Sequence, residues 1–519
     1  MRFLRWSLLA LALLVVGWLE ASLAQERVAS RKGGVLKVAL NAEPPSLDLQ
    51  WSTSLTTQQI GWQIYETLYT LDRQYNPIPL LAEGHTVSEG GRQYAIRLRR
   101  GVRFHNGREM TSADVVASLR RWGRVSAVGK SVWSSVVSAE PSSPYALTLS
   151  LREPSHSLLS VLARPVNAAA IYPKEVVEAA GDRQIREFVG TGPFRFVEHR
   201  PDQYVRVARF NDYAARSEPP DGYGGRRTAY VDQILFMPVT EASTRLNGVE
   251  SGEYHYAHQI APESYERVLR SAEIEPQIVK PAIWPAVVLN HRQGLMTSKK
   301  IRQAFQAALD MEPVLGAGIG HRAFYRVDGA LFFPEQPLWY STGGLAGYDQ
   351  KNRAKASQLL REAGYRGEPV RWLTTRDFEH MYRTAVVVKQ QMEDAGFVVD
   401  LQVVDSATMI KRRSVPELFD AFSTAFGFSP DPALSSALAC AWPGWWCNED
   451  KERLLAQVNR TGDLRERQAL MDKIQVLFYE DVGRIKLGDA FWLDVSRKEL
   501  RGVRATYDLA FWNVWLAGP

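Results

Sequence analysis

Two cysteines, nine histidines and a scatter of acidic pairs are the groups with which this 519-residue chain could do chemistry. The cysteines stand seven positions apart in Cys440-Ala-Trp-Pro-Gly-Trp-Trp-Cys447, where Pro443-Gly444 can turn the chain. That spacing suits a small disulfide loop in an oxidising compartment, worth about 2–3 kcal/mol in the loop-entropy model. A metal pair is the competing arrangement, but with His321 and His380 far away in sequence it is poorly supplied for zinc, so the disulfide is expected. His255 and His258, in Tyr-His-Tyr-Ala-His, would share one face of a helix, as a metal pair needs, or oppose each other on a strand, with one at the surface and one lining a pocket. Gly316-Ala-Gly318-Ile-Gly320 approaches a phosphate loop, yet its third glycine comes one position early and His321 stands where glycine is required. It also follows a helical pattern, so a flexible turn is expected. Asp182 with Glu187, and Glu449-Asp450, read as solvated faces. The chain has no G-x-S-x-G elbow, H-E-x-x-H pair, Walker loop or Rossmann fingerprint. An enzyme is therefore not expected; a secreted hydrolase would need a nucleophile or carboxylate pair that cannot be nominated here. No cofactor is called for.

The elements that would position these groups alternate. Val35–Leu40 reads as a strand broken by Glu43-Pro44-Pro45, and further strands are predicted at 94–98, 145–151 and 203–209. Thr111-Ser-Ala-Asp114 has the form of a capping box ahead of Val115, Val116, Leu119 and Trp122 on one helical face. A second block carries Ile301, Phe305 and Leu309 at helical spacing, a helix from about Asn352 to Ala363 ended by Gly364, and a helix bearing Ala385, Val388 and Met392. The strand Val399–Val403 follows, so this block predicts an α/β lobe. Trp512, Val514 and Trp515 suggest a closing strand. No repeat or low-complexity linker appears, so the lobes must be joined by crossings of the chain.

Hydrophobic residues make up 45% and charged residues 23%, which fits a chain of several domains and excludes disorder. Sixty-three basic against 57 acidic residues is near balance, and Lys411-Arg412-Arg413 is the longest basic run, so a nucleic-acid partner is not expected. Residues 1–24 have the form of a signal peptide: Arg2 and Arg5, an apolar stretch from Leu8 to Leu19, and Ser22-Leu23-Ala24 for cleavage. That stretch is too short for a membrane span, so an exported protein with periplasmic location is expected.

Read in order, several motifs resemble those of the family 5 extracytoplasmic solute-binding proteins of peptide-type ABC transporters (the oligopeptide, dipeptide and nickel class). They begin with Gly34-Val-Leu-Lys-Val-Ala-Leu and Pro45-Ser46-Leu47-Asp48, continue through Tyr65-Glu66-Thr-Leu68, and include Leu98-Arg-Arg-Gly-Val-Arg-Phe104-His105-Asn106-Gly107 ahead of Thr111–Asp114. Gly190-Thr191-Gly192-Pro193-Phe194, Phe210-Asn211-Asp212-Tyr213, Ile301-Arg302-Gln303-Ala304-Phe305 and Leu359-Leu360-Arg-Glu-Ala363-Gly364-Tyr365 follow. Their physical jobs are turns and helix starts, so they mark a fold and do not themselves bind ligand. The resemblance implies an α/β, two-lobed periplasmic-binding-protein fold with an extra domain on the first lobe and a ligand cleft between lobes. By analogy the first lobe combines 25–57, 189–282 and 485–519, the extra domain is 58–188, and the second lobe is 283–484. It implies capture of a peptide-like solute and delivery to ABC permease subunits with their ATPase subunits, by a monomer. An opine, an oligosaccharide or a metal chelate remains open as ligand, and a role as a peptide-sensing receptor partner has the same fold.

At the pocket the resemblance thins. Relatives taking short peptides often hold the amino group with an acidic residue a few positions before an Asp-Pro pair; here Phe428 occupies that position, three before Asp431, in Phe428-Ser429-Pro430-Asp431-Pro432. Asp431 either substitutes for it or caps the next helix. Trp51, Ser52 and Thr53, then His258 and Gln259, and Thr375 with Arg376 fall in segments that resemble cleft-lining loops. Arg376 either clamps an anion or pairs with Asp377 at the surface. Trp445 and Trp446 either stack on a planar group or lie buried under the disulfide loop.

Overall fold

A computed structural model describes residues 31–518; the expected signal peptide lies outside them. Among the described residues no helix is long and apolar enough to cross a membrane. Strand β1 (Val35–Leu40) buries Leu36, Val38, Ala39 and Leu40. The loop that leaves it runs through Leu47-Asp48 into α1 (Leu55–Ile64). A separate antiparallel sheet follows, built from β2 (Ala82–Ser88), β3 (Gln93–Leu98), β4 (Val136–Ser143) and β5 (Ala146–Leu151) in the order β2-β3-β5-β4. Alternation explains β5, whose Leu147, Leu149 and Leu151 are buried on one face. Against this sheet packs α2 (Ser112–Val125), with Val115, Val116, Leu119 and Trp122 buried. At its start Asp114 Oδ2 accepts from the Thr111 backbone N–H (2.8 Å), the reciprocal half of a capping box.

The large mixed sheet holds β1 together with β6 (Phe194–Arg200), β7 (Tyr204–Arg209), β8 (Gln233–Pro238), β9 (Tyr256–Ile260) and β10 (Ile274–Leu289). After α3 (Met311–Ile319) come β11 (Val370–Thr374), α4 (Glu379–Asp394), β12 (Val399–Val403), β13 (Ala421–Gly427), α5 (Leu464–Asp481) and β14 (Asp489–Arg497). Its order is β12-β11-β13-β10-β14-β9-β1-β8-β7-β6. The two central strands serve both ends. Over Ile274–Val279 β10 pairs with Trp492–Arg497 of β14, and from Ile283 to Leu289 it pairs with β13. The sheet is thereby divided into two lobes with separate apolar cores, one around Val38, Ile234 and Phe236, the other around Phe422, Trp446 and Phe478 and around Phe305 and Trp372. Ile485 and Leu487 pack with the second of these, and Ile485–Lys486 pair with Ala286 and Val287 of β10.

Two local expectations change. Gly316 and Gly318 lie inside α3, and only Gly320 turns the chain. Gly318 is small for packing reasons, since a Cβ there would meet Thr384 Cγ2 at 2.2 Å. The closing strand is Trp515–Leu516 alone, because Asn513, at φ 64°, bends the chain, while Trp512 lies beneath the Arg227 guanidinium.

The Leu47-Asp48 motif ties the β1 loop to α2. Asp48 Oδ2 receives Arg121 Nη2 (2.6 Å) and the Ile185 N–H (3.0 Å), and Oδ1 receives the Tyr172 hydroxyl (3.0 Å). Both members of the ion pair are fully buried. Breaking a buried pair strands the partner charge, so Asp48→Ala is expected to lose about 3–5 kcal/mol of stability. Urea denaturation checks this; a loss under about 1 kcal/mol would contradict it.

Candidate functional site

The crossing strands form the floor between the lobes, and two cavities lie near it. The larger, of about 610 Å³, is walled by Gln259 at the end of β9, Phe378 and His380 at the start of α4, Ile283 of β10, and Phe491 and Trp492 of β14. The smaller, of about 130 Å³, is enclosed by Arg164, Gly427, Phe428, Ser429 and Tyr507. Trp492 stacks on Tyr507 (ring centroids 5.0 Å), so one aromatic pair contributes to both. Phe428 in turn packs on Tyr75 (4.5 Å), whose hydroxyl donates to the Lys280 carbonyl on the crossing strand.

The electrostatics of the two spaces differ. In the larger, Arg383 engages both carboxylates, Glu263 (3.5 Å) and Glu379 (3.3 Å). His380 Nε2 is buried without a hydrogen-bond partner, and burial pulls its pKa down to about 4, so the ring is neutral. In the smaller, Arg164 makes no side-chain hydrogen bond or ion pair among the described residues. Desolvation lowers its pKa, opposed only by Tyr507. Behind Tyr507 lies Asp508, wholly buried with both oxygens unpartnered, its pKa raised to about 7 by desolvation.

A contact beside the smaller cavity joins the two parts of the molecule. Asp431 Oδ2 takes Arg467 Nη2 of α5 (2.8 Å) and the Ser160 hydroxyl (3.2 Å), while Oδ1 takes the Ser157 hydroxyl (2.9 Å) and the Ala433 N–H (3.0 Å). Asp431 thus caps the short turn Pro432–Leu434 and fastens Ser157 and Ser160 to the second lobe. Both of its oxygens are thereby engaged within the chain.

The sequence-nominated residues scatter. Gln259, Phe428 and Ser429 line the cavities. His258 is a core residue, bonded to Gln59 (2.9 Å) and Asp494 (3.1 Å), and His255 accepts the Lys37 N–H, so the two form no metal pair. Trp51 is exposed in an outer groove with Val176 and Arg183. Ser52 caps Ser54 and Thr57, and the Thr53 carbonyl accepts from Gln58, so this loop binds itself. Thr375 is buried, accepting from the Asp377 N–H, and Arg376 lies over the Tyr382 ring (4.1 Å) and not on Asp377. Trp446 is in the core, donating to Asp481 (2.7 Å), and Trp445 is packed under Arg292 (4.6 Å). Both indoles therefore serve the fold beneath the Cys440–Cys447 disulfide, whose Cα atoms are 4.6 Å apart. Arg164, Tyr75, Phe378, His380, Trp492 and Tyr507 belong to no recognisable motif; the signal in the sequence is a lone arginine in the mostly apolar stretch 158–166.

Residues 76–443 match the model of the bacterial extracellular solute-binding proteins, family 5. The chain is 28% identical to a probable peptide ABC transporter periplasmic-binding protein, y4tO, of Sinorhizobium fredii, covering 89% of this chain and 90% of that one. It is 25% identical to the glutathione-binding protein GsiB of Salmonella typhimurium, covering 91% and 92%. Among solved structures, the periplasmic binding protein DppA of Helicobacter pylori in complex with the peptide STSA superposes with a TM-score of 0.75 at 21% identity, covering 95% of this chain and 100% of that one.

Asp508 sets a pH dependence. Unfolded aspartate titrates near about 3.9, and the folded value is about 7. Between them the folded state binds more protons, so this group's contribution to stability is lost as pH rises from 4 to 7. Asp508→Asn is therefore expected to gain several degrees in melting temperature over the parent at pH 8 and little at pH 4. A gain that shrinks with rising pH would contradict the burial.

Proposed function

The chain belongs to the bacterial extracellular solute-binding proteins of family 5, and from that premise we propose that it captures a peptide-like solute between its lobes and delivers it to an ABC importer. The observation that carries this reading is Arg164, a guanidinium without a partner in a chamber walled by both halves of the molecule. A half-buried, partly desolvated cation without a counter-ion stands ready for one, and a solute carboxylate would supply it with charge-assisted, bidentate hydrogen bonds. The relatives named for peptides and glutathione support the solute class.

In this reading the solute site comprises Arg164, Gln259, Phe378, His380, Phe428, Ser429, Trp492 and Tyr507. No bond is made or broken. A solute touching both lobes favours the arrangement in which Asp431 engages Ser157, Ser160 and Arg467, and the crossing strands β10 and β14 act as the hinge. The first lobe takes 25–57, 189–282 and the chain after Leu487, the extra domain 58–188, and the second lobe the remainder. The protein acts as a monomer in the periplasm after removal of residues 1–24, meeting permease and ATPase subunits transiently. The disulfide suits that oxidising location.

A thermal-shift screen of di- to tetrapeptides, followed by calorimetry on the best binder, tests the proposal. Arg164→Ala is expected to weaken that binder by about thirtyfold or more, the 2 kcal/mol or so that truncating one partner of a buried charge pair costs. Equal binding by the variant, or no stabilising peptide, would contradict it.

A further inference from the structure

Ile283, Phe378 and Trp492 wall the larger cavity, and among the described residues they join none of the apolar cores. Each stays partly exposed, Phe378 by half. They come from different elements: Phe378 from the second lobe just ahead of α4, Ile283 from β10 and Trp492 from β14. Apolar side chains that converge on one space without serving a core mark a surface that something else covers. The polar groups around them are engaged or set apart. The Gln259 side chain accepts from Asn41 (2.7 Å), and the His380 ring is neutral. Glu263 and Glu379 stand with Arg383 (3.5 and 3.3 Å), all three exposed.

The volume of about 610 Å³ falls within the roughly 300–1,000 Å³ of sites that enclose a whole small molecule. A methyl group there would leave the three apolar side chains uncovered. A ring would cover them, and aromatic pairs gain about two- to tenfold in affinity beyond the area they bury. Position supports the same occupant. Ala425 lines the larger cavity and Gly427 the smaller one, and residues two apart on β13 share a face at a spacing of about 7 Å. An extended peptide with its end in the smaller cavity therefore brings a side chain one or two residues back to the larger. Resting on the peptide-like reading above, we infer that the larger cavity is a side-chain subsite for an aromatic group: the solute is a short peptide-like compound with an aromatic residue within two positions of its held end. Phe378 and Trp492 are then specificity-determining residues.

Calorimetry of the mature protein with Ala-Ala-Ala, Phe-Ala-Ala and Ala-Phe-Ala tests this, followed by Leu at whichever position favours Phe. Even one methylene is worth roughly tenfold in a fitted apolar pocket. The tighter Phe peptide is therefore expected to bind at least thirtyfold better than Ala-Ala-Ala, and at least threefold better than its Leu counterpart. Ala425→Phe, which fills the cavity, is expected to cut the ratio of Phe peptide to Ala-Ala-Ala below threefold, and Phe378→Ala to cut it at least fivefold. Circular dichroism melting verifies that both variants fold, and the peptides on the parent protein decide the matter if either does not. Ala-Ala-Ala binding as tightly as both Phe peptides would overturn the subsite and leave the peptide-like reading standing. Leu binding as tightly as Phe would overturn the choice of a ring. A ratio unchanged in both variants would overturn its placement in this cavity. Failure of every peptide to bind at 1 mM would overturn the peptide-like reading, and this inference with it.

Discussion

Because β10 pairs with β14 from Ile274 to Val279 and again at Ile283, and with β13 from Ile283 onward, the two halves of the large sheet share one two-stranded ribbon. Every wall of the solute space is fixed relative to that ribbon. β9 ends on one side of it, presenting Gln259; β13 ends on the other, presenting Gly427 and Phe428. A ribbon two strands wide can bend without breaking either apolar core, since the cores on its two sides contain different residues. In the proposed reading, closing around a solute would be a bend of that ribbon.

What the ribbon permits, polar contacts at its flanks must bias. Asp48 and Arg121 hold the β1 loop onto α2 within one half, a rigid role with both groups sealed from water. Asp431 performs the comparable role across halves, reaching Ser157 and Ser160 as well as Arg467. Only the serine contacts cross between halves, since Asp431 and Arg467 both lie in the second lobe, so in the proposed reading those contacts alone would count toward a closed form.

Much of the frame was legible from residue patterns. The capping residues at Thr111 and Asp114, the alternation of Leu147, Leu149 and Leu151, and the Pro-x-x-Asp turn ending in Asp48 each express a local rule, and local rules can be read along the chain. The disulfide also followed from spacing. The proposed solute site did not, because it would be made by tertiary contact. Arg164 is an ordinary arginine beside Pro165 until Tyr507, more than three hundred positions later, closes over it. Asp431 admitted two roles in sequence, and the one it plays depends on Arg467 lying opposite. Trp445 and Trp446 suggested stacking on a ligand, yet their burial against Phe419 and Phe478 is a matter of core packing that no spacing reveals.

The central claim is that the two lobes enclose an acidic small molecule against Arg164. Native mass spectrometry of protein purified from its own periplasm addresses it most directly, with the adduct released by denaturation and identified. The account predicts a defined adduct, one compound or a narrow set, bearing a carboxylate. A well-folded protein of bare polypeptide mass, or an adduct without a carboxylate, would contradict it.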